Sequence, residues 1–246
     1  AASDVYKRQT SWSLTKDVSC DDDNGALIFN PSKPGTSALV TGKISLHGAD
    51  APKLVFYYRA DKDAQQKVEL RFTKKNGEVT DPVWTSEKAN ATTTNGEWKS
   101  FIVDVPSELT NEDFVFLRII GIADSITKVP VYMDNINIVD PLQKDATVEV
   151  SATDNVKKGQ MAEIKVKVTN IGLDKLENAK LELTVNGKTI KEENLDGLNL
   201  LQKKEYKVDY RTTTLDKSDA LNVKASVTYE DDLDPDNNES EAVINC

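Results

Sequence analysis

The sequence is poor in the residues that metal and covalent chemistry usually need. It has one histidine and two cysteines among 246 residues. One histidine with two distant cysteines does not make a zinc site, and two cysteines give no disulfide framework. His47 and Cys20 could form a base and a nucleophile, but neither a third member nor an oxyanion-hole glycine pattern accompanies them. We therefore interpret His47 as a surface-loop residue and predict that the chain is not an enzyme.

Basic charge and long apolar runs are also scarce. The chain has 31 Lys and Arg against 41 Asp and Glu, a net charge of −10 that both halves share. Because phosphate binding needs a basic surface, nucleic acid is not expected as a partner. An anionic membrane surface is disfavoured for the same reason. No apolar run approaches the roughly 18–20 residues of a membrane span, so membrane insertion is not expected either.

The sequence has no initiator methionine and no signal peptide. The segment Asp4-Val-Tyr-Lys-Arg-Gln9 resembles the translation of a transposon end used to prepare sequencing libraries. We interpret residues 1–9 as a non-native scar and exclude them from fold reasoning. On this interpretation, the missing signal peptide says nothing about where the protein resides.

What the sequence does contain is alternating β-runs with turn residues between them. One run closes at 131–140, Pro141 follows, and a new run begins at Asp145. This break predicts two modules, 10–141 with eight short strands and 142–246 with seven. Asn186-Gly187 between two runs of the second module predicts a hairpin. Both modules are therefore expected to be all-β sandwiches.

Three motifs in the first module resemble the cleaved-adhesin family, also called choice-of-anchor J, whose jelly-roll domains are similar to MAM domains. They are Leu39-Val-Thr-Gly-Lys-Ile-Ser-Leu46 followed by Lys53–Ala60, Gly96-Glu-Trp98 with Val103-Asp-Val105, and Tyr132-Met-Asp-Asn-Ile-Asn-Ile138. The family's usual proline after Leu-Val-Thr is Gly42 here. The resemblance covers roughly residues 12–140 and implies a jelly-roll β-sandwich.

Two motifs in the second module resemble CARDB, a bacterial immunoglobulin-like domain related to cell adhesion. Val166-Lys-Val-Thr-Asn-Ile-Gly172 is similar to its "V-x-N-x-G" strand end, and Asp231-Asp-Leu-Asp-Pro-Asp-Asn-Asn238 to the loop before its last strand. The expected fold of the chain is then a jelly-roll β-sandwich followed by a smaller immunoglobulin-like β-sandwich. In such families the modules are adhesive, spacer or positioning units of large exported proteins.

Calcium is the one cofactor that the sequence suggests. Jelly rolls of the resembled type often hold a structural calcium ion with a carboxylate of the closing strand, and Asp134 matches that position. Asp21 and Asp23, in an acidic loop, are the expected co-ligands because calcium takes several oxygen ligands. The alternative is that Asp134 only accepts hydrogen bonds from a loop. The acidic loop 231–238 leaves a similar choice between a solvated hairpin and a weak calcium site.

Aromatic side chains suggest a second kind of site. Trp84 and Trp98, with Tyr57 and Tyr132, would stack on sugar rings if they were exposed on one face. Burial of the two tryptophans would instead indicate that they only fill the core.

These observations lead to a leading hypothesis and two alternatives. The leading hypothesis is a non-enzymatic adhesion or spacer fragment of a larger bacterial protein, extracellular or at the outer cell surface. Its expected partners are a host or matrix protein or glycan and a neighbouring domain of the same polypeptide. The first alternative is a carbohydrate-binding module of a polysaccharide-degrading enzyme. The second is a protease accessory domain, for which we expect a large apolar patch on the first module.

Overall fold

The chain is all-β and divides into two compact units, Ala1–Asp140 (unit 1) and Pro141–Cys246 (unit 2). The computed structural model describes residues 11–20, 25–86, 94–126, 129–213 and 220–246. Each unit is built of two β-sheets around a hydrophobic core of its own. This confirms the predicted all-β class of a larger sandwich followed by a smaller one. Among the described residues, no helix is long and apolar enough to cross a membrane.

Unit 1 is a sandwich of antiparallel sheets with five and four strands. The five-stranded sheet has the order β1-β2-β9-β4-β7, and the four-stranded sheet has the order β3-β8-β5-β6. The strands are β1 Trp12–Thr15, β2 Ala26–Phe29, β3 Gly35–Val40, β4 Lys53–Ala60, β5 Lys67–Lys74, β6 Trp84–Thr85, β7 Lys99–Asp104, β8 Val115–Ala123 and β9 Val131–Val139.

Strand alternation builds the core of unit 1. β4 turns Phe56 and Tyr58 inward, and β8 contributes Leu117 and Ile119 from the facing sheet. Successive side chains of a strand point to opposite faces, so the same strands must show other residues outward. Val55 on the outer face of β4 is nevertheless buried. β4 is therefore covered on both faces at this point, as its doubly apolar sequence predicted.

Tyr58 gives unit 1 a testable dependence on alkaline pH. Burial raises the pKa of its hydroxyl well above the ordinary value, and the nearby Ser86 side chain offsets part of this rise. A phenol that ionises only in the unfolded chain lowers the free energy of unfolding as pH rises through the unfolded pKa of about 10. The loss is about 1.4 kcal/mol per pH unit above that pKa. Tyr58→Phe should remove it.

Tyr58→Phe should also leave stability at neutral pH unchanged or raised, because the buried hydroxyl lies near Ser86 but outside hydrogen-bond geometry with any described residue. Urea unfolding followed by tryptophan fluorescence between about pH 8 and pH 11 tests both points, with the half-buried Tyr57→Phe as control. Equal alkaline slopes for the parent chain and Tyr58→Phe would contradict the prediction.

Unit 2 is a seven-stranded sandwich. Its three-stranded sheet has the order β10-β11-β14, and its four-stranded sheet has the order β13-β12-β15-β16. The strands are β10 Ala146–Ala152, β11 Met161–Asn170, β12 Ala179–Val185, β13 Lys188–Leu195, β14 Lys203–Arg211, β15 Ala220–Thr228 and β16 Glu239–Asn245.

The sequence pattern of unit 2 is reproduced closely by its structure. Ile164, Val166 and Val168 on β11 point into the core, while the lysines between them face outward. The hairpin between β12 and β13 turns at Asn186 and Gly187, with φ of 48° and 75°. Positive φ at both central residues matches the turn that suits the strand twist, which is why Asn-Gly predicts such hairpins.

The first and last strands of unit 2 lie side by side. The Val150 N–H donates to Ser240 Oγ at 3.1 Å. Further along both segments the Val156 N–H donates to the Asn245 carbonyl at 2.7 Å. Val150 precedes Val156 and Ser240 precedes Asn245, so the segment that begins with β10 runs in the same direction as β16.

Candidate functional site

Asp134 on β9 is hydrogen-bonded to residues 19 and 20, which come just before Asp21 in the sequence. Its Oδ2 accepts hydrogen bonds from the Cys20 N–H at 2.9 Å and the Ser19 hydroxyl at 3.4 Å. Its Oδ1 accepts one from the Asn135 N–H at 2.8 Å. Asn135 has a φ of 47° and its side chain donates to Cys20 Sγ at 3.2 Å. Asp134 thus accepts hydrogen bonds from a loop, one of the two roles expected from the sequence.

The predicted co-ligands Asp21 and Asp23 lie outside the described residues. In the ranges that the structure describes, no three His, Cys, Asp or Glu side chains are grouped so that they could hold a metal ion. The described surroundings of Asp134 therefore do not make up a calcium site by themselves. Calcium at Asp134, Asp21 and Asp23 stays a prediction.

Cys20 and His47 lie in different environments. Cys20 is half-buried and contacts Asn135, whereas His47 is exposed in the turn after Leu46. Neither Cys20 nor Cys246 forms a disulfide bond with a described residue.

Trp84 belongs to the core of unit 1. It is 7% exposed, and its ring lies 4.9 Å from the Phe56 ring, 5.4 Å from Tyr58 and 5.2 Å from Phe101, measured between centroids. These edge-on contacts are typical of packed aromatic cores. Trp84 therefore does not offer its ring to a ligand, and the predicted pairing of Trp84 with Trp98 on one exposed face does not form.

Trp98 lies in a different environment, which we call the Trp98 row. The row consists of Trp98, Arg59 and Tyr132, all partly exposed. The Trp98 and Tyr132 rings are 6.3 Å apart at 62°, and the Arg59 guanidinium lies 5.6 Å from the Tyr132 ring centroid. Arg59 pairs with Tyr132 across β4 and β9, on the face of the sheet that points away from the core.

Two donor atoms of the Trp98 row, Trp98 Nε1 and Arg59 Nε, are themselves buried and have no hydrogen-bond partner among the described residues. The sequence singled out Trp98 and Tyr132 but missed Arg59. The signal for Arg59 is its spacing of two from Tyr57, which puts both side chains on the same face of β4. A partly exposed aromatic ring can stack on an apolar ring face, and a guanidinium beside it can donate hydrogen bonds through its terminal nitrogens.

In unit 2 the buried side chain of Asn170 holds together the ends of several segments. Its Nδ2 donates to the carbonyls of Asp174 and Leu198, both at 2.8 Å, and its Oδ1 accepts from the Gly172 N–H at 3.0 Å. A Cβ on Gly172 would lie 2.5 Å from the Asp145 nitrogen. Gly172 is thus needed for the close approach of the backbone that leads into β10.

The acidic loop 231–238 packs against the backbone at residues 145 and 146. Asp232 Oδ2 accepts from the Ala146 N–H at 3.1 Å, and Asp232 Oδ1 accepts from the Asp234 N–H at 2.9 Å. Asn237 Nδ2 donates to Asp145 Oδ1 at 3.0 Å. Burial raises the pKa of Asp145, and the charges of Asp232 and Asp234 raise it further, while the Asn237 hydrogen bond lowers it.

Residues 143–242 match the model of the CARDB family. The match includes Asn170, Gly172 and the acidic loop, which are the residues that carry the resemblance in the sequence. In the CARDB segment these two motifs meet at the start of β10, because Asn170 and Gly172 position the backbone against which the acidic loop packs. No curated protein matches the chain.

Solved structures show weaker likeness. The CARDB domain of a Pyrococcus furiosus protein in complex with di-metal ions is 23% identical, covering 43% of this chain and 90% of that one, with a TM-score of 0.38. A family 30 carbohydrate-binding module of a Clostridium thermocellum cellulase is 14% identical, covering 52% and 82%, with a TM-score of 0.39. A β-1,2-glucanase from Parabacteroides distasonis is 12% identical, covering 96% and 34%, with a TM-score of 0.44.

Proposed function

We propose that the chain is a non-catalytic adhesion fragment of a larger bacterial protein, in which unit 1 binds a glycan and unit 2 serves as a spacer. Its place is outside the cell or at the outer cell surface, where it also positions a neighbouring domain of the same polypeptide. The observation that carries the glycan proposal is the Trp98 row. The adhesion and spacer role rests on the CARDB match of residues 143–242.

The Trp98 row has the chemistry that sugar recognition needs. The two aromatic rings offer flat apolar faces to the C–H groups of a pyranose ring. Arg59 supplies charged hydrogen-bond donors for hydroxyl groups beside that ring. Arg59 and Tyr132 project from paired strands, and a sheet holds such groups more precisely than a loop does.

A protease accessory role is less well supported by the surface of unit 1. Its exposed large apolar side chains, among the residues described, come from separate elements rather than from one strand face. They are Leu14, Val79, Ile102 and Ile126.

Affinity electrophoresis of the whole chain in gels containing xylan, laminarin, mannan or pectin tests the proposal. We expect at least one polysaccharide to retard the chain, and Trp98→Ala to weaken that binding about tenfold or more, as expected for an aromatic anchor. Arg59→Ala should weaken it as well.

Phe114→Ala is the matched control, because Phe114 is a half-buried aromatic residue with Lys43 4.5 Å from its ring centroid, outside the Trp98 row. It should bind like the parent chain. Retention of full affinity by Trp98→Ala would contradict the proposed site, and the absence of retardation by any glycan in a broad array would contradict glycan binding.

A further inference from the structure

Arg59 is the middle residue of the Trp98 row. On one side it pairs with Tyr132 of β9. On the other side Tyr58 pairs with Lys99, the first residue of β7, so Trp98 lies beside Arg59 where that strand begins. The Arg59 guanidinium is 5.6 Å from the Tyr132 ring centroid, and the Trp98 and Tyr132 rings are 6.3 Å apart. The cation of the row therefore occupies the strand position between the two aromatic residues.

The positive charge of Arg59 is not neutralised by the part of the chain that the structure describes. Its guanidinium forms no salt bridge and donates no hydrogen bond to any described residue. Asp134 on the neighbouring strand β9 instead accepts hydrogen bonds from the N–H groups of Cys20 and Asn135. Arg59 Nε is buried, whereas the two terminal nitrogens reach solvent. These terminal nitrogens are the atoms that a ligand on the row can contact.

A glycan bound on the Trp98 row would cover this charge. Removing an unpaired cation from water is unfavourable, and sugar hydroxyl groups replace its hydrogen bonds without balancing its charge. A carboxylate does both, because the planar guanidinium can donate two parallel hydrogen bonds to its two oxygens. In a uronic acid the carboxylate is attached directly to the sugar ring. Stacking of that ring on an aromatic side chain and pairing with the neighbouring Arg59 can therefore occur together.

We propose that the Trp98 row selects acidic glycans, and that Arg59 pairs with the carboxylate of a uronic acid residue. This inference rests on the proposed function, because it names the class of glycan that the row binds. Trp98 and Tyr132 supply apolar contact to a charged and a neutral sugar alike, whereas Arg59 determines the preference for the charged one. The net charge of −10 opposes the approach of a polyanion, so the preference has to come from Arg59 itself.

Carboxyl reduction of the polysaccharide tests the preference with the parent chain alone. Affinity electrophoresis of the whole chain compares polygalacturonate, alginate and hyaluronan with their carboxyl-reduced forms, in which a neutral primary alcohol replaces each carboxylate. We expect at least one acidic form to bind about tenfold more tightly, or better, than its reduced form. This comparison needs no variant, so it does not depend on whether a substituted chain folds.

Arg59→Gln assigns the preference to one side chain. It should weaken binding of the acidic form about tenfold or more and leave binding of the reduced form unchanged. Arg59→Lys keeps the charge without the planar fork and should fall between the parent and Arg59→Gln. Arg118→Gln is the matched control, because Arg118 is a half-buried arginine of β8 that also has a buried, unpaired Nε and lies outside the row. It makes the same change in net charge and should bind as the parent does.

The outcomes separate this inference from the proposed function. A parent chain that binds neutral or carboxyl-reduced polysaccharides as tightly as the acidic ones overturns the uronic acid preference and leaves the glycan site in place. Unchanged selectivity in Arg59→Gln, or an equal loss in Arg118→Gln, overturns the role of Arg59. If no polysaccharide binds, acidic or neutral, the proposed function fails and this inference fails with it.

Discussion

Asn170→Ala is expected to destabilise unit 2 by about 3 kcal/mol. The substitution deletes three side-chain hydrogen bonds at a fully buried position, and each typically contributes about 1 kcal/mol. The Asp174 carbonyl then loses its buried amide donor. A loss of this size in a unit of about 100 residues lowers the melting temperature by more than about 10 °C.

The distribution of tryptophan makes this measurement specific for one unit. Trp12, Trp84 and Trp98 all lie in unit 1, so tryptophan fluorescence follows the unfolding of unit 1 alone. The calorimetric transition that fluorescence does not report belongs to unit 2, and it should move in Asn170→Ala. Asn194→Ala, on the exposed side of the edge strand β13, is the control and should leave both transitions in place. An unchanged melting temperature of unit 2 in Asn170→Ala would show that Asn170 does not hold these segments together.

Phe56→Ala is expected to destabilise unit 1 by about 4 kcal/mol. Phe56 is completely buried, and its ring contacts Trp84 edge-on at 4.9 Å and stacks on Phe101 at 5.5 Å. Truncation removes the ring from the core and leaves a cavity that the two sheets can close only in part. The fluorescence transition should therefore move strongly while the transition of unit 2 stays.

Phe114→Ala provides the comparison for Phe56→Ala. Phe114 is half-buried and packs against Phe116 at a centroid distance of 5.5 Å outside the core cluster. Its removal should lower the stability of unit 1 by less than half as much. Equal losses for the two variants would mean that Phe56 does not occupy the centre of the core.

The strand pattern could be predicted where alternation is regular. β11 shows its apolar face in every second residue, and Asn186-Gly187 defines the turn between β12 and β13. The direction of Trp84 could not be predicted in this way, because β6 is only two residues long and has no alternation to follow. Its burial depends on the fit against Phe56 and Phe101, which come from other strands.

The sequence predicts individual residues of the candidate sites but not the contacts between them. The sequence identified the acidic loop, but its contact with Asp145 joins residues 92 positions apart and exists only because β10 and β16 are neighbours. Asn170 and Gly172 stood out as a motif, whereas their physical role required the backbone of residues 144 and 145 to be in place. Arg59 was overlooked because charge on an outer strand face usually indicates solvent. The resemblance of residues 12–140 to the cleaved-adhesin family stays a prediction.

The parallel course of β10 and β16 determines how unit 2 responds to tension. When its two ends are pulled apart, these strands must slide past each other along their length. The contacts between Val150 and Ser240 and between Val156 and Asn245 are then loaded at the same moment. Contacts that are loaded in shear must break together. They therefore resist force better than contacts that break one after another. Unit 2 is thus expected to resist a force that pulls its two ends apart.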